Sequence, residues 1–342
     1  MIQDQKFGIE IEMSGINRKQ AADVLARYFG TSAQYIGGTY DKYQVKDGEG
    51  RCWQIVRDAS IRTVRKVGSN LVPADQSYSV ELVSPICVYG DIKTIQELIR
   101  KLRREGATTD QSTGVHVHVD ASRFDTNSLR NLVNIMRSKE DLLYKALQIE
   151  ETREIQYCKK VDEEFLQRLN HRKPRTQEEL KQIWYNGNDG SRVHYHPSRY
   201  KGLNLHSVFQ KGTVEFRLYN STTHAGKIKT YIQLSLAIAN QALTQKKASY
   251  TRTQSENEKY TFRTWLLRLG MIGEEFKTAR MFLLQHLEGN IAWKDPARVN
   301  NLARDHPQNR EETAVSVEQT ESPETSETMT NARTQELGGM TL

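Results

Sequence analysis

No stretch of about 18 consecutive apolar residues occurs in the chain, so nothing in it reads as a membrane-spanning helix. Cysteine is scarce. Cys52, Cys87 and Cys158 are odd in number, widely spaced and without a CxxC pair, which excludes a disulfide framework and a thiolate metal cluster. Buried thiols in a reducing compartment are expected instead. The start, Met1-Ile2-Gln3-Asp4, lacks a basic segment followed by an apolar one, so no secretory signal is expected and the expected location is the cytoplasm. A GxxxxGK[ST] loop is missing, which disfavours a P-loop fold. Helix-turn-helix, zinc-finger and Gly-rich RNA-binding signatures are also missing, so nucleic acid is not an expected partner.

What is present is 342 residues, enough for one large domain or two ordinary ones, with a net charge of +7. That charge is unevenly placed. From His306 onward two basic residues face seven Glu, a net of −5, which leaves about +12 on residues 1–305. A basic body fits nucleic acid or an anionic substrate such as a nucleotide, and charge alone does not choose. Residues 305–342 are rich in Ser, Thr, Glu and Gln with almost no apolar periodicity, and are expected to be disordered. Residues 1–304 are expected to form one domain.

Helical periodicity predicts a helix over 17–29, capped by Asn17 and closed by Gly30. Others are predicted from Asp91 to Gly106, through Leu129–Leu147, after a Thr176/Glu179 capping box, and over 227–245 and 273–288. Short strand-like runs alternate with them, several reading as antiparallel and half-buried, so the expected class is α+β.

Four of these runs carry unusual polar faces. Period-two alternation sets Ile9, Ile11 and Met13 on one side of Phe7–Met13, and Glu10 with Glu12 on the other. Val115–Val119 pairs His116 with His118, Val214–Leu218 pairs Glu215 with Arg217, and Leu203–His206 pairs Asn204 with His206. Taken singly, each is an ordinary strand with a wet face. Wet faces, however, usually carry Lys, Thr, Ser and Gln, whereas these side chains bind metals and phosphates. If the strands share a sheet, the polar faces line one surface. Several carboxylates with one or two imidazoles make a hard, oxygen-rich set suited to Mg²⁺ or Mn²⁺, although His116, His118 and a carboxylate would also satisfy zinc.

With these motifs assembled, the chain resembles the carboxylate–amine ligases, the group containing glutamine synthetase and glutamate–cysteine ligase, and within it the amidoligase branch. FGIEIEM at 7–13 is similar to the opening strand, WQIVRDAS at 53–60 to a W-x-V-x-x-D-G-S segment, and VELVSP at 80–85 to an E-L/V-V-S-P motif. STGVHVHVD at 112–120 matches a G-x-H-V-H strand and GTVEFRLYNSTT at 212–223 a T-x-E-F-R strand. The order agrees from residue 7 to about 240, with a weaker match at 262–280. Ala59 departs from the pattern, standing where glycine is expected. The resemblance implies a curved, largely antiparallel sheet cradling ATP and divalent cations, with helices on its outer face. It implies Glu10, Glu12, Glu81 and Glu215 as metal ligands, His116 or His118 touching metal or phosphate, and Arg217 at the transferring phosphoryl group.

The implied activity is ATP- and Mg²⁺-dependent joining of a small-molecule, peptide or protein carboxylate to an amine through an acyl phosphate. Carboxylates are poor electrophiles in water, and phosphorylation makes them reactive. The amine must lose a proton, and Asp58, His118 and His206 are the candidate bases; Asn204 and His206 are further expected cofactor contacts. Glu215–Arg217 also reads as a surface pair, and Asp58 with Ser60 as a turn cap. His194, His196, Arg199 and Tyr200 read equally as a solvated loop or a substrate contact. The competing function is a metal-dependent phosphoesterase or nuclease using the same acidic cluster. Substrates and oligomeric state are not legible.

Overall fold

Alternation in the first strand, β1 (Phe7–Met13), decides which side of the sheet is dry. Ile9, Ile11 and Met13 are no more than 1% exposed, whereas Glu10 and Glu12 project from the opposite face. The computed structural model describes residues 1–294. After β1 come α1 (Arg18–Phe29), β2 (Ala33–Gly37), β3 (Lys42–Lys46), β4 (Cys52–Val56), β5 (Val64–Val67), β6 (Asn70–Pro73) and β7 (Val80–Val83). They are followed by α2 (Ile92–Glu105), β8 (Gly114–Asp120), α3 (Thr126–Leu147), α4 (Glu151–Gln156), α5 (Glu163–Arg172) and α6 (Gln177–Trp184). The last elements are β9 (Leu203–Asn204), α7 (His206–Lys211), β10 (Thr213–Asn220), α8 (Ala225–Thr244), α9 (Glu258–Arg268) and α10 (Lys277–Leu284).

Eight strands form one sheet in the order β2-β3-β4-β7-β1-β8-β10-β9, with every neighbouring pair antiparallel. Strands β5 and β6 make a separate hairpin. This is an α+β protein with a large antiparallel sheet. Its dry face meets α1 at β3 and β4, α8 at β8 and α3 at β10, while α2 and α10 pack against α8. Helix α8 is buried on nearly all sides, as its run of Ile, Leu and Ala from Ile228 to Ala242 requires. No helix among the described residues is long and apolar enough to cross a membrane. Met1–Lys294 forms one compact unit, and the expected domain end at 304 and disordered segment 305–342 lie outside the described residues.

Several element ends follow their local chemistry. Asn17 and Gln20 form a reciprocal capping box at α1, and Gly30 closes that helix at φ 68°. At α6 the box is only half made: Thr176 accepts from the Glu179 N–H, but Glu179 reaches past it to the Arg175 N–H. The helix expected over 273–288 is shorter, a 3₁₀ turn at Glu274–Phe276 leading into α10.

Two departures bear on the site. The strand expected through Leu203–His206 stops after Asn204, and His206 opens α7, so Asn204 and His206 do not share a strand face. Strand β10 also breaks its alternation. Phe216 pairs with Val117 and Tyr219 with Val115, so Arg217 and Leu218 together span the single residue His116, a β-bulge. The extra residue turns Tyr219 onto the helix side, where its ring stacks 4.4 Å from that of Tyr231 on α8.

Because the dry face holds the sheet to its helices, Ile11→Ala, at a fully buried position, is expected to lower unfolding free energy by about 2–5 kcal/mol. Equilibrium urea denaturation, with the midpoint moving and the slope unchanged, checks it.

Candidate active site

Strand register brings the polar side chains together. Across β1 and β7, Glu12 pairs with Glu81; across β1 and β8, Glu10 pairs with His116 and Gly8 with His118; across β8 and β10, His118 pairs with Glu215. His116 Nδ1 lies 3.1 Å from Glu10 Oε2, and His118 Nε2 lies 3.3 Å from Glu10 Oε1. The His116 Nε2 atom faces Glu12 Oε1 at 3.8 Å. Glu12 Oε2 accepts the Gly114 N–H at 2.6 Å. Arg217 Nη1 and Asn204 Nδ2 each donate to Glu215, both at 2.7 Å.

Three overlapping groups have ligand atoms within 4.8 Å of one another: Glu10, Glu81 and His116; Glu10, His118 and Glu215; Glu12, Asp58 and Glu81. Each contains at most one imidazole, so among the described residues no such group brings His116 and His118 to one centre. That donor chemistry, mostly carboxylate oxygen, fits Mg²⁺ or Mn²⁺ better than zinc.

Electrostatics separates the acids. Burial, with the charges of Glu10, Glu12 and Asp58, holds the Glu81 carboxyl well above its ordinary range. Burial and Asp58 push Glu12 up to about 7 against the pull of Arg153, the Gly114 N–H and Arg217. Glu10 moves the other way: burial raises it, but the charge of His118 and the hydrogen bond from His116 hold it well below the usual range. Burial also opposes the ionisation of Glu215, yet Arg217 and the histidines bring it to about 2. Burial and Arg217 lower His116 to about 4, so its ring is neutral near pH 7. With Nδ1–H donated to Glu10, its Nε2 lone pair is left free to bind a cation.

The polar face opens into a cavity of about 650 Å³. Glu10, Glu12, Asp58, Glu81, His116 and Arg217 line it, joined by Arg57, Arg153, Arg199 and Lys211 and by Tyr40, Tyr157, Tyr195 and Tyr200. His118, Asn204, His206 and Glu215 are buried and do not line it. His118 Nδ1 is bonded to the Thr213 hydroxyl at 3.0 Å, and His206 Nδ1 to the Tyr185 hydroxyl. Arg217 and Glu215 are buried, at 6% and 3% exposure, so theirs is not a surface pair. Asp58 does cap its turn, since Oδ1 accepts from the N–H and hydroxyl of Ser60, and it also faces Glu12 and Glu81.

Sequence reasoning left several wall residues out. Arg153 sits in a short helix with no motif around it. Tyr40 comes from the β2–β3 turn, and its hydroxyl meets His194 and Tyr195, each at 3.4 Å, across 154 and 155 positions of chain. His194, Arg199 and Tyr200 line the cavity, whereas His196 packs against Tyr185, ring centroids 5.0 Å apart.

An antiparallel sheet gathers carboxylates, imidazoles and guanidiniums over one cavity, which defines the class as an α+β protein with a candidate active site. Residues 3–239 match the family described as "Putative amidoligase enzyme", and the chain belongs to that family, which makes it an enzyme of the ligase kind. The chain is also similar to a bifunctional glutathione synthetase from Pasteurella multocida, known from its crystal structure. The two are 11% identical with a TM-score of 0.37, over 90% of this chain and 49% of that one, so this chain spans about half that protein's length. No curated protein matches it.

The crowding of Glu12 has a consequence for stability. In the fold its carboxyl keeps a proton up to about pH 7, whereas its ordinary value is 4.5, so the contribution of Glu12 to stability falls as pH rises through that window. In chelator, Glu12→Gln is expected to be more stable than wild type, by a margin that widens from pH 5 to pH 8. Thermal melts across that range check it; a margin that shrinks with pH contradicts the reading.

Proposed function

We propose that this protein is an ATP-dependent carboxylate–amine ligase that forms an amide through an acyl phosphate. Family membership supports the reaction class. The observation that carries the reading is one cavity lined both by the carboxylates Glu10, Glu12, Glu81 and Asp58 and by the guanidiniums Arg57, Arg153, Arg199 and Arg217. Carboxylates that repel one another call for a cation, and guanidiniums call for phosphate or carboxylate oxygens.

In this reading Glu10, Glu12, Glu81 and His116 hold Mg²⁺ or Mn²⁺, with Glu215 and His118 beneath them fixing Glu10 and the Arg217 guanidinium. When bound, the cation would screen repulsion between the nucleotide phosphates and the incoming carboxylate. Arg217 is positioned by Glu215 on one nitrogen, which leaves its other N–H groups for the phosphoryl oxygens as charge shifts during transfer. Asp58 is the proposed proton acceptor for the amine, because it stands on the cavity wall while His118 and His206 do not. Asn204 then serves Glu215 rather than nucleotide. The three free thiols support a reducing compartment, and the cytoplasm is the proposed location.

The test is ADP release from ATP and Mg²⁺ with pooled amino acids and peptides, alongside mass spectrometry of any condensed product. Phosphodiester hydrolysis without nucleotide would instead favour the phosphoesterase reading. Arg217→Lys keeps the charge and loses the planar fork. Turnover is expected to fall by about 100- to 1,000-fold while nucleotide affinity changes little. Single-turnover rates beside equilibrium nucleotide binding measure both; a wild-type rate removes Arg217 from the chemistry.

A further inference from the structure

Among the cations on the cavity wall, Arg153 combines deep burial with a guanidinium that has no partner; Arg57 shares the missing partner but is only half-buried. Arg153 is only 2% exposed, yet its side chain lines the cavity. Arg217 has Glu215, Lys211 reaches Glu10 at 3.5 Å, and Arg199 donates to the His194 carbonyl. The Arg153 side chain makes no hydrogen bond or ion pair among the described residues, and its Nε is buried without a partner. Glu12 feels its charge, but makes its contacts with the Gly114 N–H and with His116 instead.

The surroundings are shaped to admit this guanidinium. It stands over the Tyr157 ring, 5.8 Å from the centroid. It also lies against Gly114, where a Cβ would overlap Nη2 and lie 3.0 Å from Nη1. A buried charge without a counter-charge is strongly unfavourable, and packing alone would be served as well by a neutral side chain of the same length.

We propose that Arg153 is an oxyanion-binding residue of this cavity, taking a phosphoryl or carboxylate group of the ligand on its planar N–H fork, in addition to whatever Arg217 holds. The proposal goes beyond the ligase reading, since it needs an oxyanion in the cavity and not the bond that is made. The Tyr157 ring lies against the fork, and the missing side chain of Gly114 leaves room for it. The free protein carries the strain of an unpaired charge that the ligand relieves.

The test uses the full chain in Mg²⁺ buffer and calorimetry with two kinds of probe: inorganic phosphate and ADP for a phosphoryl source, glutamate and acetate for a carboxylate source. Arg153→Met keeps the stem and removes the charge. It is expected to weaken binding of one probe class by about 10- to 100-fold, and to raise the ligand-free melting temperature by about 2 °C or more. The class that weakens identifies the source. Arg153→Lys keeps charge without the fork and should lose about tenfold in affinity with little change in melting temperature. Gly114→Ala, which must push the guanidinium aside, should weaken the same probes. If Arg153→Met fails to fold, these last two variants decide. Wild-type affinity in the variants, a destabilised Arg153→Met with unchanged affinity, or a wild type that binds none of the probes overturns the proposal. Failure to release ADP from ATP with amino acids bears on the ligase reading alone.

Discussion

Two glutamates placed directly opposite each other, Glu12 on β1 and Glu81 on β7, set the terms for the rest of the molecule. Like charges facing each other across a strand pair are destabilising, and Asp58 adds a third carboxyl to the same corner. The wet face therefore cannot hold the sheet together. Cohesion comes from the other side, where Ile9, Ile11, Val115, Val117 and Phe216 pack with the helices at no more than 1% exposure. One face of the sheet provides stability, and the other gives some of it up for a chemical site.

The site also balances itself in layers. Glu10 and Glu215 stay ionised because histidines and Arg217 surround them, while burial, helped by neighbouring acids, pushes Glu12 and Glu81 toward protonation. Acids of one residue type thus divide into a fixed pair, which orients neighbours, and a responsive pair, which a cation would ionise. Gly114 joins the layers. Its N–H fixes Glu12, and its missing side chain leaves room for Arg153.

Much of the site was legible because the decisive pattern is local. Period-two alternation in Phe7–Met13 and Val115–Val119 assigns faces without knowledge of the partner strands, and the order of the motifs pointed to the family that residues 3–239 match. The features that escaped depend on non-local contact. Residue types alone do not say that β9 ends after Asn204, where Asn204 Oδ1 accepts the His206 N–H and the His206 ring meets the distant Tyr185 hydroxyl. Arg153 belongs to the site only because Gly114 makes room for it. Tyr40 belongs because the chain returns to it more than 150 residues later.

The bulge in β10 has its own consequence. On either side of it the strand runs in opposite phase, with Phe216 and Tyr219 on the helix side although an odd number of positions separates them. Removing one residue from that stretch would restore perfect alternation and thereby ruin the arrangement, throwing either the guanidinium or an aromatic ring onto the wrong side. Between Phe216 and Tyr219, chain length is therefore a stricter requirement than side-chain identity. Insertions and deletions there should be purged from descendants of this sequence sooner than conservative exchanges.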